Sequence, residues 1–387
     1  MAGPLLAAGL VCGAAAGCAS KPAEKVDTGA AKAYADHGYA LERRFQTTAA
    51  RETWTIESEP VDIALLLPAQ TGSFPLVVYL PGLGESSEAG LAWRQSWAQA
   101  GYAVLSAQPS KYGAAVWSSS RARSGEFRDI AQDAFGVPSL TLRTQFARAL
   151  LDEAWRRQHN AGGSMMARVD MTRVAIVGYD LGAQTAMMVA GESVAGVESV
   201  PAAESVKCVV ALSPYADFSG MGMESNFRSI RLPVLAVTST QDTDAYGLVT
   251  SAAVRRAPFR YMPAGQKYLL LLFQAPHSLL AGAATWAGPA KGKYAGPQPV
   301  QPDNGVEPDP LAAEEAAGEA AQHHRNRAGG VPPSAGASLQ HAKQIAQVQS
   351  VTTAFLDEMM KSDPIASEWL SRNAKPWLGE SAELQSK

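Results

Sequence analysis

Seven short apolar runs constrain the fold of this chain more than any other feature of its sequence. They lie at residues 62–67, 76–80, 102–106, 173–177, 208–212, 234–237 and 268–272. Each run is continuously apolar rather than alternating, which is typical of a strand buried on both faces in a parallel sheet covered by helices. The sequence therefore predicts a mostly parallel sheet at the centre of the molecule.

Helical segments are predicted between these strands, at residues 91–100, 140–157 and 183–190. In the second of them, the apolar positions recur at steps of four and mark one face of a helix: Leu142, Phe146, Leu150 and Ala154. Strand–helix alternation over this length predicts a doubly wound α/β domain with helices on both faces of the sheet. Ligands of such domains bind at the carboxyl ends of the strands.

Composition excludes several classes of function. Lys and Arg number 33 against 36 Asp and Glu, so the chain has no basic excess with which to bind nucleic acid. The 3 Cys residues cannot form a disulfide framework, and none lies at zinc-site spacing with His. Gly82 and Gly84 lack the third Gly of a dinucleotide-binding motif. We expect no metal, no cofactor and no nucleic-acid partner.

The first residues are interpreted as an export signal rather than part of the fold. Residues 1–18 form an apolar stretch too short to span a bilayer. The small residues before Cys18 resemble the bacterial lipobox, which implies a lipid on Cys18 and attachment to a membrane, the outer one if the source is Gram-negative. A plain signal peptide with a periplasmic or secreted product is the alternative. Residues 19–46 are predicted to be a tether.

A second segment is also predicted to lie outside the packed core. Residues 282–338 are rich in Ala, Gly and Pro, and such a stretch cannot bury enough surface to offset its ordering entropy. We expect a disordered insertion there. Apolar positions at helical spacing resume after it, so residues 339–387 are predicted to form C-terminal helices that complete a core built by residues 47–281.

The most specific motif follows the fourth predicted strand. There the sequence runs Gly178-Tyr-Asp180-Leu-Gly182 into a predicted helix. This pattern has the form of a nucleophile elbow, with Asp180 in the nucleophile's position. Gly178 and Gly182 suit a strained turn in which backbone segments approach closely. The alternative is that Asp180 only caps the helix that follows.

An acid and a histidine follow the elbow in the chain order of an α/β-hydrolase site. Asp242 comes after a predicted strand, with Asp244 as the close alternative, and His277 comes after the last strand. Upstream, a Gly-rich turn ends the second strand. Its Leu83 amide and the Leu181 amide are the candidate oxyanion-hole donors. Three aromatic residues are candidates for lining the pocket: Tyr112, Trp117 and Tyr215.

With these motifs, the chain resembles secreted α/β-hydrolases of the dienelactone hydrolase, platelet-activating-factor acetylhydrolase and polyester hydrolase group. The matching stretches are residues 80–84, the elbow, residues 240–247, His277 and residues 353–370. The resemblance implies the α/β-hydrolase fold without a large cap domain. It also implies hydrolysis of a small carboxylic ester or lactone. The group carries Ser or Cys at the elbow, where this chain has Asp180.

The aspartate leaves the chemistry open between three alternatives. We expect an ester or lactone hydrolase with an Asp180, Asp242 and His277 site and weak activity on ordinary esters. Alternatively, Asp180 attacks an alkyl carbon, as in epoxide hydrolases and haloalkane dehalogenases, and His277 then activates the water that hydrolyses the resulting ester. The third alternative is a catalytically silent protein that binds a ligand or a partner.

Overall fold

A nine-stranded sheet forms the centre of the computed structural model, which describes residues 28–160, 162–198, 201–216, 222–283 and 335–387. Its strands are β1 (Thr47–Ile56), β2 (Glu59–Pro68), β3 (Phe74–Leu80), β4 (Ala103–Pro109), β5 (Val169–Tyr179), β6 (Val206–Leu212), β7 (Val234–Gln241), β8 (Lys267–Pro276) and β9 (Ala382–Ser386). The predicted α/β class is confirmed. The predicted signal segment, Cys18 and residues 284–334 of the predicted insertion lie outside the described residues.

The sheet is mostly parallel, as the apolar runs predict. Its order is β1-β2-β4-β3-β5-β6-β7-β8-β9, and the six strands from β4 to β8 in this order are parallel to their neighbours. Strands β1, β2 and β9 pair antiparallel. All seven apolar runs are strands, whereas β1 and β9 were not predicted. Both lie at sheet edges and mix polar with apolar residues, so neither carries a continuous apolar run.

Helices connect the strands along the described chain. They are α1 (Thr28–Asp36), α2 (Leu91–Gln99), α3 (Ser120–Arg123), α4 (Phe127–Phe135), α5 (Val137–His159), α6 (Leu181–Ala190), α7 (Met223–Phe227), α8 (Ala257–Tyr261), α9 (His277–Leu280), α10 (Ala335–Lys361), α11 (Pro364–Glu368) and α12 (Ala374–Leu378). The predicted helices correspond to α2, α5, α6 and α10. None of the helices described here is both long and apolar enough to cross a membrane.

Two apolar cores flank the sheet, and this explains the continuous apolar runs. Along β3, Leu76 and Val78 join a core that includes Leu150 of α5 and Met187 of α6. The intervening Val77 joins an opposite core with residues of α2 and α10. Alternate side chains of one strand are thus buried on opposite faces. The central strands are packed on both faces, and this packing fixes the positions of their carboxyl ends.

The N-terminal part of the chain differs from the prediction. Residues 19–46 were predicted to be a tether, but α1 packs against the C-terminal helices. The Tyr34 ring stacks on Trp377 with centroids 4.8 Å apart, and the Tyr39 hydroxyl donates a hydrogen bond of 2.9 Å to Asp357 of α10. The aromatic residues of this segment pack against the domain, which its Ala- and Lys-rich composition did not indicate. Residues 28–45 therefore belong to the domain.

Replacing Tyr39 by Phe tests whether this segment contributes to stability. The Tyr39→Phe variant should lose about 1–3 kcal/mol of unfolding free energy, because a buried carboxylate loses a donor. Urea denaturation measures the change. Tyr261→Phe is the control, since the Tyr261 hydroxyl donates no hydrogen bond among the described residues. Equal stability of wild type and Tyr39→Phe would mean that the segment contacts the domain without stabilising it through this hydrogen bond.

Candidate active site

The backbone at Asp180 is strained. Asp180 follows β5 directly and precedes α6, with φ of 51° and ψ of −111°. A non-glycine residue in such a conformation costs of order 1–3 kcal/mol and persists only where the surrounding structure imposes it. A Cβ at Gly178 would overlap the Gly182 carbonyl, and a Cβ at Gly182 would overlap the Leu80 carbonyl of β3. The two glycines therefore let the chain turn tightly enough to project Asp180 over the sheet edge.

The Asp180 side chain points to the predicted site and not to the helix. Its Oδ2 accepts a hydrogen bond of 3.3 Å from the Leu83 N–H, and its Oδ1 lies 3.7 Å from Nε2 of His277. It makes no hydrogen bond to the first amides of α6. The side chain is buried, at 3% exposure. Helix capping therefore does not account for Asp180.

Asp242 and not Asp244 is the acid that faces the histidine. Asp242 directly follows β7, and its Oδ1 lies 2.6 Å from Nδ1 of His277, the residue that directly follows β8. Asp244 instead accepts backbone hydrogen bonds from the turn that follows it, including one of 2.8 Å from Tyr246. The structure therefore brings Asp180, Asp242 and His277 together at the carboxyl edge of the parallel strands, in the arrangement that the sequence predicts.

Two hydroxyl groups hold the Asp242 carboxylate, and sequence reasoning missed both. Ser213 donates a hydrogen bond of 2.6 Å to Oδ1 of Asp242, and its Oγ lies 2.9 Å from Nδ1 of His277. Thr238 donates one of 2.7 Å to Oδ2. Ser213 directly follows β6 with φ of 60°, so its position at a strand end was a usable signal. These contacts fix the orientation of the acid.

Arg255 supplies the opposite charge beneath the site. Its Nε donates to the Asp242 carbonyl at 2.7 Å and lies 3.3 Å from Oδ1 of the same residue. Its Nη1 donates to the carbonyls of Ser213 and Pro214. Burial alone would raise the pKa of Asp242, but the Arg255 charge and the hydrogen bonds from His277 and Ser213 outweigh burial and hold the pKa below its usual range. Asp242 is therefore ionised throughout the neutral range.

The predicted oxyanion donors both lie beside Asp180. The Leu83 N–H already binds the Asp180 carboxylate. Leu181 is the first residue of α6, and the first N–H groups of a helix have no partner within the helix. The Leu83 loop is fixed by Gln108, whose Nε2 donates to the Gly82 carbonyl at 2.9 Å. The loop is thus held in place before any substrate arrives.

An aromatic cluster surrounds these two leucines. Leu83 and Leu181 pack with the three predicted lining residues and with others that were not predicted: Tyr112, Trp117, Tyr215, Phe135, Tyr246 and Leu248. Trp117 stacks on Tyr246 with centroids 5.4 Å apart. A cavity of about 430 Å³ continues from this cluster, lined in part by Phe135, Tyr215 and Leu248. The lining of this cavity also includes Arg128, Gln132 and Glu192 and contains none of Asp180, Asp242 and His277, so the apolar surface next to the site is the aromatic cluster itself.

Comparison with known proteins gives no matching family model and no matching curated protein. Among the described residues, no cluster of three or more His, Cys, Asp or Glu side chains is placed to hold a metal ion. The functional proposal therefore depends on the side chains described above.

Gly182→Ala tests the close approach at the elbow. The added Cβ would overlap the Leu80 carbonyl, which is backbone and cannot move away cheaply. We expect a loss of about 3 kcal/mol or more of unfolding free energy, at the upper end of overpacking costs. Gly222→Ala is the control, because its Cβ would meet nothing within 4 Å and its φ of −51° suits alanine. Equal effects in thermal denaturation of the two variants would show that the elbow is not tightly packed.

Arg255→Gln tests the charge balance at Asp242. Removing one partner of a buried ion pair should cost about 3–5 kcal/mol at pH 7. Without the Arg255 charge, the Asp242 pKa should rise, so the ionised form loses stabilisation that it has in wild type at neutral pH. The deficit against wild type should therefore shrink as pH falls toward about 4.

The exposed Arg260→Gln serves as the control in urea denaturation at both pH values. A deficit in Arg255→Gln that does not depend on pH would mean that Arg255 acts through packing and not through its charge.

Proposed function

We propose that this chain is a hydrolase with the α/β-hydrolase fold, in which Asp180 is a covalent nucleophile toward an electrophilic alkyl carbon of a small apolar substrate. The strand–turn–helix elbow supports the fold assignment, as does the order of nucleophile, acid and histidine after β5, β7 and β8. Strand β2, which pairs antiparallel with β4 next to the parallel strands, is consistent with it.

The contact between Leu83 and Asp180 carries the choice of chemistry. Oδ2 of Asp180 already accepts a hydrogen bond from the Leu83 amide, whereas Oδ1 faces His277. Attack by Oδ1 on an alkyl carbon would give an alkyl ester of Asp180, with Oδ2 as its carbonyl oxygen. When water then adds to this ester, the negative charge develops on Oδ2. The oxyanion donor is therefore placed on the atom that needs it.

His277 is positioned to activate the water of the second step. With its Nδ1 proton held by Asp242, the neutral ring presents the Nε2 lone pair toward Asp180. Nε2 takes a proton from water as the water oxygen bonds to Cγ of Asp180. The bond between Cγ and the alkyl oxygen then breaks, and His277 returns the proton to the leaving alkoxide. Asp180 is left as a carboxylic acid, and loss of its proton to solvent or to a neighbouring base regenerates the carboxylate.

Hydrolysis of an ester or lactone by water that His277 activates directly is the second candidate. The Asp242–His277 pair favours it, because this pair is a complete general base without Asp180. Two features of the site oppose it. The Asp180 carboxylate occupies the Leu83 amide that an ester oxyanion would need, and its negative charge would repel that oxyanion. Attack by Asp180 itself on an ester would give a reactive anhydride.

We also infer that the protein is exported and carries a lipid on Cys18, which would place the site in the cell envelope. The support is the apolar stretch of residues 1–18 and the small residues before Cys18. The aromatic cluster beside Leu83 supports an apolar substrate. A substrate of this kind would reach an enzyme at a membrane surface by partitioning into the lipid.

A panel of three substrates tests the function. Purified protein is assayed with styrene oxide, bromobutane and p-nitrophenyl acetate, beside Asp180→Asn and His277→Ala. We expect turnover of at least one alkyl substrate, and a loss of about 10⁴-fold or more in both variants, because each removes one of two interdependent groups. Asp152→Asn and His159→Ala, both exposed on α5, are the matched controls.

Two results would contradict this function. Ester hydrolysis that needs His277 but survives Asp180→Asn would favour the water-activating alternative. If none of the proteins turns over any of the substrates, the remaining hypothesis is a catalytically silent protein with this fold that binds a ligand or a partner.

A further inference from the structure

A second carboxyl group lies beside the proposed nucleophile. Glu85, on the loop that follows β3, accepts a hydrogen bond of 2.8 Å at Oε2 from the Gly82 N–H. The next amide along the chain, that of Leu83, binds Oδ2 of Asp180. Consecutive Cα atoms are only 3.8 Å apart, so two neighbouring amides bring the two carboxyl groups near enough for the Asp180 charge to act on Glu85. Neither the elbow pattern nor the chain order of the site predicts Glu85.

The loop is built to keep Glu85 in this position. A Cβ at Gly82 would come within 3.2 Å of Oε2 of Glu85 and 2.9 Å of the Tyr179 ring. A side chain at this position would crowd both the carboxyl group and the Tyr179 ring, and glycine avoids this. Nε2 of Gln108 donates to the Gly82 carbonyl at 2.9 Å and to the Glu85 carbonyl at 3.2 Å. The backbone on both sides of the carboxyl is thus anchored to β4.

The surroundings of Glu85 favour its neutral form. Burial of the carboxyl raises its pKa to about 7, and the negative charge of Asp180 adds to the rise against the opposing effects of the Gly82 N–H and His277. The other titratable groups that face it are Tyr79, Tyr179 and Tyr246, each with its pKa raised by burial. The tyrosines stay neutral, so burial, the Gly82 N–H and the neighbouring Asp180 and His277 determine the ionisation of Glu85.

Two adjacent carboxyl groups with opposite ionisation preferences are a common basis for acid–base chemistry. Asp180 accepts a hydrogen bond from the Leu83 amide, and Glu85, with its raised pKa, can carry a proton. Oε2 of Glu85 is occupied by Gly82, and no described residue donates to Oε1. The residue is partly exposed and is not sealed within the core.

We propose that Glu85 is the catalytic acid that protonates the leaving oxygen of an epoxide while Asp180 attacks the ring carbon. This inference rests on the proposed function, in which Asp180 is the nucleophile. Oδ1 of Asp180 bonds to one ring carbon, and the bond between that carbon and the ring oxygen breaks. The electron pair goes to the oxygen, which takes the Glu85 proton and becomes a hydroxyl group.

The hydrolytic step restores both carboxyl groups. Water adds to Cγ of the Asp180 ester through His277, the ester breaks, and His277 returns the proton to the departing diol oxygen. Asp180 is left as a carboxylic acid at this point, and its proton passes to the Glu85 carboxylate. The net reaction is epoxide plus water giving a vicinal diol.

The presence of an acid selects among alkyl substrates. A halide leaves as a stable anion and needs no proton, whereas the ring oxygen of an epoxide leaves as a strongly basic alkoxide. A proton donor in the site therefore accelerates epoxide opening specifically. The acid distinguishes the epoxide from the haloalkane as the substrate class.

The rate at which Asp180 is alkylated tests this role. Full-length protein is mixed with styrene oxide or bromobutane at pH values between 5.5 and 9. The reaction is quenched at set times, and the mass of the protein is measured by mass spectrometry. Bromobutane serves as the reference at each pH, because it alkylates the same Asp180 carboxylate but needs no acid. The measured quantity is the ratio of the epoxide rate to the bromide rate.

We expect this ratio to fall as pH rises through about 7, since the neutral acid is lost there. Glu85→Gln should lower the epoxide rate by about 10²-fold or more and abolish the pH dependence, with the bromide rate unchanged. Glu85→Asp, which keeps an acid, should retain the pH dependence with part of the rate. Glu88→Gln, exposed on the same loop, is the matched control and should behave as wild type.

Failure of the Glu85 role and failure of the proposed function give different results. If Glu85→Gln leaves the epoxide rate unchanged, or slows both reagents equally, Glu85 is not the acid although Asp180 remains the nucleophile. If neither reagent alkylates Asp180, the proposed function fails and the role of Glu85 fails with it.

Discussion

The strained turn at Asp180 is the constraint on which the rest of the site depends. A positive φ at a residue with a side chain is unfavourable, and the structure maintains it by packing β3, β5 and α6 against one another where Gly178 and Gly182 lack side chains. The central strands are buried on both faces, so the turn cannot relax by moving the sheet. The rigid core therefore fixes the position of the Asp180 carboxylate at the sheet edge.

Three carboxyl groups near that edge have different surroundings, and this difference organises the chemistry. Asp242 is kept ionised by Arg255 and by hydroxyl donors. Asp180 rests on the Leu83 amide within reach of His277. Glu85 is half-buried next to that negative charge, and its raised pKa favours the protonated form. One permanent anion orients the histidine, one carboxylate can attack, and one acid can donate.

The sequence predicts much of the fold for a definite physical reason. Strands buried on both faces must be continuously apolar, and all seven such runs are strands in the sheet. Edge strands β1 and β9 escape the prediction because one face of each meets solvent or polar neighbours. The packing of α1 escapes it because Tyr34 and Tyr39 act through contacts with residues more than 300 positions away.

The residues of the site divide in the same way, into those that a local sequence pattern predicts and those that depend on contacts in the folded chain. Asp180, Asp242 and His277 were predictable because each directly follows a strand of a parallel sheet, where side chains converge. The choice between Asp242 and Asp244 was not predictable, since it depends on which carboxylate turns toward His277 and which caps the local turn. Arg255 and Glu85 were missed because their roles come from burial next to a charge, which no local pattern encodes.

The central claim, that Asp180 forms a covalent ester, is tested most directly by a single turnover in water labelled with heavy oxygen. Excess protein is mixed with styrene oxide, and the diol is analysed for the label. The account predicts that the first turnover gives unlabelled diol and leaves the label in Asp180, because the new oxygen of the product comes from the carboxylate. Label in the diol of the first turnover would show that water attacks the substrate directly and would contradict the account.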